Sequence, residues 1–448
     1  MKQYDVIVVG AGIAGLGVAA LLSKKGYNVL LLEKEPILGG RSTSFEFKGY
    51  LVDIGLHAIA SLSSSGIGQL LAETGAELQE VPIKPSLMHF DLDSRAYMRA
   101  TSPERFGQEL YQDFIRLVRA VSRMDRNEID GYHEISAQSW IMDKFGNPGL
   151  LEFFKKITGF SGQPMEKVSA GAFLETLNDA LISETTICYP AHGGIKALPD
   201  CLEKVILNNQ GEIITDIRVK RLFLSGDRTA GVKAGISRPS YVAELDFYAP
   251  TVVYTAPLVN LPRFLPKDKM PAEMANKLEK IRSADYYYNG IVLGARSSLM
   301  EGFSEQFFQW TFDRSGMDWH GIVTVPTYAD PDLAPSGHHL LFIDSHGPMP
   351  YGRADLANQR QEELIALARE IWPDFDQQID WIQKLIYPTI LPLAQLNLTG
   401  PHRPGFHVPE IRGLYLAGDA TYLTGSGIGS AVKSALKCVE EIDNKTNA

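Results

Sequence analysis

The 448-residue chain has few cysteines and no excess of positive charge, and each shortage excludes a class of protein. Cys188, Cys201 and Cys438 make an odd number in a long chain, and no C-x-x-C pair occurs. This excludes a disulfide scaffold or a cysteine zinc site and fits a reducing cytosol. Lys and Arg number 43 against 53 Asp and Glu, which gives a net charge of −10. Nucleic acid is therefore excluded as a partner, because its binders need a basic surface.

Long hydrophobic runs are also scarce. The uncharged run near the N-terminus, residues 6–22, covers 17 residues and is interrupted by glycines. A helix needs ~20 apolar residues to span a bilayer, so we expect a cytoplasmic protein without an integral membrane span. A basic helix face leaves peripheral membrane contact open, with a solvated surface as the alternative. That face would carry Arg116, Arg119, Arg123 and Arg126.

Glycine is abundant, with 40 residues, and its positions near the N-terminus follow a pattern. Residues 5–9 and 28–32 predict short buried strands, and residues 16–24 predict a helix between them. The first turn of this unit reads G-x-G-x-x-G, and the second strand ends in an acid. The glycines allow a tight turn and a close approach of pyrophosphate, while the acid accepts hydrogen bonds from ribose. The sequence therefore predicts a dinucleotide site at Gly10, Gly12, Gly15 and Glu33.

The residues that follow narrow the choice of dinucleotide. Gly39, Gly40 and Arg41 come just after the acid, where flexible backbone and a cation suit a phosphate. With this motif the sequence resembles the FAD-dependent amine oxidase and phytoene desaturase superfamily, which includes carotenoid desaturases and isomerases and protoporphyrinogen oxidases. Residues 49–57, 190–219 and 413–430 are similar to further segments of that family.

The resemblance implies an α/β fold, with a discontinuous Rossmann-like FAD-binding domain and an inserted substrate domain of mixed sheet and helices. We expect the FAD-binding domain at 1–85, 190–260 and 405–448, and the substrate domain at 86–189 and 261–404. Prolines cluster at 257–271 and 392–409, where the chain would leave and re-enter the FAD-binding domain.

The resemblance also implies which residues hold non-covalent FAD, since no cysteine lies near the C-terminal motif. The N-terminal set is Gly10, Gly12, Ile13, Ala14, Gly15, Glu33, Lys34, Gly39, Gly40, Arg41, Ser42, Gly55, Leu56 and His57. The second set is Val219, Gly418, Asp419, Gly427, Ile428 and Gly429.

His57 is the candidate catalytic residue, because it falls in the segment that would run beside the flavin and a histidine there can tune the ring or shuttle a proton. A satisfied core histidine is the alternative. We expect no metal. His338, Asp344 and His346 share the parity of one strand face, but Leu340 and Phe342 point the same way, which is typical of a buried or edge strand.

Aromatic residues are concentrated in residues 286–319. Their alternation predicts strand faces that line an apolar substrate cavity, and an ordinary aromatic core is the alternative. The predicted lining residues are Tyr286, Tyr288, Phe308, Trp310 and Phe312.

The leading hypothesis is an FAD-dependent oxidoreductase that transfers a hydride between flavin N5 and a hydrophobic small molecule. Desaturation, saturation or isomerisation of carbon–carbon bonds in an isoprenoid needs little acid–base help. A flavin amine oxidase that releases peroxide is one alternative, but residues 287–294 lack the lysine that many amine oxidases place beside N5. A GDP dissociation inhibitor-like lipid-binding protein without flavin is the other. The sequence does not reveal the oligomeric state.

Overall fold

The computed structural model describes residues 3–55, 57–63, 65–83, 88–157, 165–182, 187–238, 241–283, 286–301, 307–346, 354–389, 395–423 and 427–446. The strands, in chain order, are β1 (Val6–Val9), β2 (Val29–Leu32), β3 (Thr43–Phe47), β4 (Tyr50–Ile54), β5 (Ile59–Ala60), β6 (Glu80–Pro82), β7 (Met88–Asp91), β8 (Ala96–Arg99), β9 (Ile187–Pro190), β10 (Glu212–Ile214), β11 (Arg218–Ser225), β12 (Arg228–Arg238), β13 (Tyr241–Tyr248), β14 (Thr251–Tyr254), β15 (Tyr286–Arg296), β16 (Gln309–Asp313), β17 (His320–Thr324), β18 (His338–His346), β19 (Ile379–Thr389) and β20 (Leu414–Leu416). The helices are α1 (Ile13–Lys24), α2 (Gly66–Thr74), α3 (Pro103–Phe106), α4 (Gln108–Val121), α5 (Arg126–Asp130), α6 (Ala137–Phe145), α7 (Pro148–Ile157), α8 (Ala170–Ile182), α9 (Ala197–Asn208), α10 (Leu261–Phe264), α11 (Ala272–Ser283), α12 (Ala354–Ile371), α13 (Phe375–Gln378) and α14 (Gly427–Thr446).

A parallel sheet brings together three distant parts of the chain. Its strand order is β10-β2-β1-β14-β20, and every neighbouring pair is parallel. Strand β1 is buried on both faces. Val6 and Val8 face α1, α9 and α14, whereas Ile7 and Val9 face the core beneath β11–β13. Helices on one side and strand order around a central β1 make this a Rossmann-like unit, as the sequence predicts.

A second, seven-stranded sheet has the order β19-β15-β18-β17-β16-β7-β8. Its pairs are antiparallel apart from β16 with β7. One face packs on α12 and α13 through Leu341 and Ile343 of β18. The opposite face shares a core with the parallel-sheet unit through Leu340 and Phe342. The seven-stranded sheet therefore presents one face to the nucleotide-binding side of the molecule.

Helices α4 to α8 form a separate apolar cluster around Trp140 and Phe154. Residues 104–126 and 138–157 carry helical spacing in the sequence, and the structure places α3 and α4 in the first stretch and α6 and α7 in the second. Gly107 has φ +71° and Gly146 has φ +63°, and a left-handed residue ends a helix. The proposed limits of the two domains stay a prediction. Among the described residues, no helix is long and apolar enough to cross a membrane.

Candidate cofactor-binding and active site

The carboxyl ends of the parallel strands meet at one edge of the sheet. Val9 of β1 pairs with Leu32 of β2 on one side and Tyr254 of β14 on the other. The residues that follow these strands, Gly10, Glu33 and Thr255, therefore lie in a row at this edge. In open parallel sheets this is the edge at which ligands bind.

Close packing at this edge requires two of the predicted glycines. Gly10 has φ +104°, and the hydroxyl of Thr255 donates to its carbonyl oxygen at 2.8 Å. A Cβ on Gly15 would overlap that carbonyl oxygen and would lie 2.6 Å from Oγ1 of Thr255. Helix α1 sits this close to the strand because Gly15 has no side chain. A Cβ on Gly12, in contrast, would meet no atom of the described residues within 4 Å.

The N-terminus of α1 is suited to an anion. Gly12 is its N-cap residue, no side chain caps the helix, and no acidic residue lies in the first turn. Ile13 and Ala14 are buried in that turn. The first amide N–H groups of a helix lack partners within it and carry the positive end of the dipole. The turn therefore offers hydrogen-bond donors to a phosphate beside the open space at Gly12.

Glu33 is buried, and its carboxylate joins neighbouring loops. The amide of Ala11 donates to Oε2 at 2.7 Å, and the amide of Glu35 donates to Oε1 at 2.9 Å. These bonds hold the first turn against the end of β2. A carboxylate has about four lone-pair sites, so two bonds leave acceptor capacity for ribose hydroxyls.

The segment after β2 returns to the glycine turn. The amide of Gly39 donates to the carbonyl of Ala11 at 2.8 Å, and a Cβ on Gly40 would lie 3.3 Å from Cα of Gly12. Ser42 closes this segment, because its amide donates to the carbonyl of Gly39 at 3.0 Å. Lys34 is exposed and pairs with its neighbour Glu35.

An ion pair joins the N-terminal and C-terminal motifs. Nη2 of Arg41 lies 2.8 Å from Oδ2 of Asp419. Gly418 is fixed against α14, because its amide donates to Oγ of Ser434 at 2.8 Å. Two predicted cofactor residues that are 378 positions apart in the sequence therefore lie side by side.

The start of α14 lies after this motif. Gly427, Ile428 and Gly429 form its first residues, and a Cβ on either glycine would meet no described atom within 4 Å. The structure also contains a residue that the sequence did not single out. Arg403 is fully buried, and its Nη1 donates to the backbone oxygen of Asp419 at 3.0 Å. Burial lowers its pKa to about 10, so it keeps its charge at neutral pH.

Val219 lies on β11, opposite Ala234 of the antiparallel three-stranded sheet. It is half-buried against the core beneath that sheet. The strand approaches the nucleotide edge because the amide of Ile217 donates to the carbonyl of Glu33 at 2.9 Å.

Gly55 follows β4 with φ +77°, Leu56 lies outside the described residues, and His57 comes next. His57 is 8% exposed and faces the seven-stranded sheet. Its ring centroid is 3.9 Å from that of Phe342, and Nε2 is 3.5 Å from Oδ2 of Asp344. Burial, with a smaller contribution from His346, lowers its pKa to about 3. Desolvation disfavours the charged form, so the ring is neutral at physiological pH.

A buried carboxyl on β4 also escaped the sequence interpretation. Asp53 accepts hydrogen bonds from Tyr189, from Oγ of Ser44 at 2.7 Å and from the amide of Ile195 at 3.1 Å. Burial raises its pKa to about 6. Asp53 lies four residues before His57, and its network fixes β4 against the loop after β9. No motif marks this role, because the partners come from separate segments.

The aromatic lining prediction needs correction. Trp310 and Phe312 share a face of β16, but it is the face that packs on α12 and α13. They belong to an aromatic core with Trp372, whose ring lies 5.8 Å from Trp310. Phe308 precedes the strand and packs on the nucleotide side of the sheet, 5.5 Å from Tyr189, so its place in the cavity lining stays a prediction. The error arose because alternation reveals which residues share a face and not what that face meets. The side chains of Tyr286 and Tyr288 lie outside the described residues.

The two β18 histidines of the proposed strand face, His338 and His346, lie at opposite ends of the strand and do not share a metal site. His338 is near Asp380, with Nε2 3.3 Å from Oδ2, at the far end of the strand from His346. Ligand atoms of His192, Asp330 and Asp332 lie within 4.8 Å of one another. Asp330 already accepts hydrogen bonds from the amides of Gly194 and Asp332, which is typical of a loop-stabilising carboxylate. We assign no metal to this group.

Solved structures share this fold at low sequence identity. An oxidoreductase from Methanosarcina mazei superposes with a TM-score of 0.74 at 20% identity, over 97% of this chain and 100% of that one. A putrescine oxidase bound to putrescine superposes with a TM-score of 0.70 at 13% identity, over 99% of both chains. A Rab GDI from Plasmodium falciparum gives 0.57 at 13% identity, over 98% of both. The fold alone therefore does not separate the oxidoreductases from the Rab GDI.

Relatives identified by sequence distinguish between these two classes of protein. The chloroplastic prolycopene isomerase of Daucus carota is 22% identical over 98% of this chain and 80% of its own length. The 4,4'-diapolycopen-4-al dehydrogenase of Metabacillus indicus is 23% identical over 98% of this chain and 96% of its own. The family model described as flavin containing amine oxidoreductase matches residues 13–443. The chain belongs to this family and is an FAD-dependent oxidoreductase, which confirms the resemblance read from its motifs.

Proposed function

We propose that the chain binds FAD without a covalent bond, at the edge of the parallel sheet. The observation that carries this proposal is the meeting of the two terminal motifs through Arg41 and Asp419. The α1 N-terminus and Arg41 would hold the pyrophosphate, and Glu33 the adenosine ribose, with Val219 beside the adenine. Asp419 and the first turn of α14 would hold the ribityl and flavin part.

Burial of the three cysteines favours non-covalent binding, because it keeps their thiols protonated. Cys188, Cys201 and Cys438 are all buried. Burial raises the pKa of Cys188 and Cys201 to about 11, so the thiolate that would attack a flavin is scarce at neutral pH. Cys438 lies on α14, and burial raises its pKa further still.

We further propose that the substrate is an isoprenoid-like molecule whose carbon–carbon bonds are desaturated, saturated or isomerised. Bound flavin supplies the redox chemistry, because its N5 takes a hydride from carbon or returns one. Similarity to the carotenoid-related proteins over nearly the whole chain supports an apolar substrate. The absence of lysine in residues 287–294 argues against an amine.

The protein's own residues would then orient the substrate and exclude water. The rings of His57 and Phe342 are in contact, tilted at 31°, and are buried where the segment after β4 meets the seven-stranded sheet. Because the pKa of His57 is about 3, the ring acts as a neutral hydrogen-bonding group and does not store a proton at neutral pH. Carbon–carbon chemistry at a flavin tolerates this, since it needs no imidazolium acid.

The test uses purified FAD-loaded protein under anaerobic conditions with prolycopene and phytoene in detergent micelles. One arm contains oxidised flavin and the other contains flavin reduced with dithionite. We expect at least one polyene to change the number or geometry of its double bonds, as followed by chromatography and absorption spectra. A parallel assay supplies putrescine in air and measures peroxide. Peroxide release together with unchanged polyenes would contradict the proposal.

A further inference from the structure

A row of polar side chains crosses the face of the seven-stranded sheet that looks toward His57. On β18, Asp344 and His346 alternate with residues that pack on α12, so both lie on the same face as Phe342. His346 is directly opposite His320 of β17. Their rings are stacked, with centroids 5.4 Å apart and planes at 26°. The same face also carries the apolar side chains of Leu340 and Phe342.

The row continues onto the next two strands. His89 of β7 pairs with Thr311 of β16, and Nδ1 lies 3.0 Å from Oγ1. Nε2 of His89 lies 3.3 Å from Oδ1 of Asp313, whose other oxygen is 3.6 Å from Nη2 of Arg105. We call this set the polar row; it consists of His57, Asp344, His346, His320, Asp313 and His89.

His320 is the member whose hydrogen bonding is incomplete. It is 2% exposed, and among the described residues neither ring nitrogen has a hydrogen-bond partner. The nearby carboxylate of Asp313 already interacts with His89 and Arg105. Buried polar groups in native proteins are almost always paired, so an exception needs an explanation such as a bound ligand or water.

The charge state of His320 limits what it can bind. Burial, followed by His346, holds its pKa well below the usual value, so the ring is neutral. Burial also lowers the pKa of His346 to about 4. A neutral imidazole offers one N–H donor and one nitrogen acceptor. The buried carboxyl groups Asp344 and Asp313 on the same face disfavour an anion.

We propose that His320 anchors a neutral oxygen group, a carbonyl or a hydroxyl, on the otherwise apolar substrate. This inference rests on the proposed function and specifies its substrate class. Along β18, His346 lies two residues beyond Asp344, which is roughly 7 Å. His320 lies across from His346 on the neighbouring strand, roughly 5 Å away. In this proposal an extended molecule that contacts His57 runs along this face and places its oxygen at His320. A pure hydrocarbon leaves both ring nitrogens without partners.

The test measures binding to the FAD-loaded protein, separately from activity. The probes are lycopene, which is a hydrocarbon, an apo-lycopenal with a terminal aldehyde, and a long-chain alkylamine. Binding is followed by quenching of tryptophan fluorescence. The variants are His320→Leu, which removes both hydrogen-bonding groups, and His320→Gln, which keeps a donor and an acceptor. His338→Leu is the control, because this histidine lies on the same sheet but is half-buried beside Asp380.

We expect the wild type to bind the aldehyde at least about 10-fold more tightly than lycopene. His320→Leu should abolish this preference without weakening lycopene, His320→Gln should retain most of it, and His338→Leu should retain all of it. The FAD content should be the same in every variant. Since His320→Leu removes buried groups without partners, its melting temperature should equal or exceed that of the wild type.

Three results would overturn the inference. If both polyenes bind equally, or if His320→Leu keeps the preference, His320 is satisfied by water and only this inference fails. If the alkylamine binds most tightly through His320, the ligand class is wrong. If neither polyene binds to FAD-loaded protein, the proposed apolar substrate fails as well.

Discussion

Two regions bind their ligands with different chemical groups. One is the nucleotide edge, where Gly10, Glu33 and Thr255 follow the strands of the parallel sheet, and the other is the polar row. The edge relies largely on main-chain groups, namely the turn at Gly10, the uncapped start of α1 and the glycines that open α14. The side chains of Glu33, Arg41 and Asp419 supplement them. The polar row uses side chains: five of them lie on strands of the seven-stranded sheet, and the sixth, His57, faces them. A main-chain site recognises a phosphate whatever side chains surround it, whereas a side-chain site changes its ligand with single substitutions. We therefore propose that the edge binds the cofactor and that the polar row determines which substrate binds.

The largest expected effect is at the edge, where two neighbouring glycines have different roles. In Gly15→Ala the new Cβ overlaps the carbonyl oxygen of Gly10, so α1 must move away from β1. We expect little or no folded, FAD-loaded protein, as measured by circular dichroism and flavin absorbance. Gly12→Ala is the matched control, because its Cβ meets no protein atom within 4 Å.

Gly12→Ala should fold with an unchanged melting temperature in the apo form and should bind FAD at least about 10-fold more weakly. Equal FAD affinity in Gly12→Ala and the wild type would show that the cofactor does not approach this turn.

The next largest effect separates the two faces of the seven-stranded sheet. Phe312→Ala removes a fully buried ring that packs against Gly321 and Trp310. We expect the free energy of unfolding to fall by about 3–5 kcal/mol, as measured by chemical denaturation. Phe45→Ala, at a partly exposed phenylalanine, should change it by less than about 0.5 kcal/mol. If Phe312→Ala keeps its stability but changes substrate binding, Phe312 lines the substrate cavity after all.

A smaller effect concerns the polar row and pH. The folded protein keeps His57 neutral down to about pH 3, whereas the unfolded chain binds a proton near 6.5. Stability from His57 is therefore present above pH 6.5 and is lost as the pH falls toward 3. Between pH 7.5 and 5, His57 accounts for a loss of about 2 kcal/mol in the free energy of unfolding.

His57→Phe should make the pH dependence shallower by that amount, as measured by urea denaturation at both pH values. Asp344 and His346, which face His57, remain in both proteins, as does Asp53, whose raised pKa acts in the opposite direction below pH 6. His192→Phe, at an exposed histidine, is the control for replacing an imidazole by a phenyl ring. An identical slope in His57→Phe and the wild type would mean that His57 titrates normally.

The two regions also differ in how far the sequence predicts them. Gly10, Gly15, Glu33 and Arg41 lie within about thirty residues, and each spacing is fixed by a turn or by one helix. The fold class and this local unit were therefore predictable. The ion pair of Arg41 with Asp419 required the family resemblance, because sequence spacing says nothing about two segments at opposite ends of the chain.

The polar row could not be predicted in this way. His89, His320 and His346 come from three strands, and their register depends on turns and long connections. Alternation along β16 identified which aromatic residues share a face, but the choice of face depended on where α12 packs. Arg403 and Asp53 were missed for the same reason, since their partners lie on other segments.

The most direct test of the central claim is the flavin content of the purified protein before and after denaturation. We predict an absorption band near ~450 nm from the bound cofactor. Acid or heat should then release about one FAD per chain into the supernatant, as quantified by chromatography. Protein that is colourless and cannot be reconstituted with FAD would contradict the account, and flavin that stays with the precipitated chain would contradict non-covalent binding.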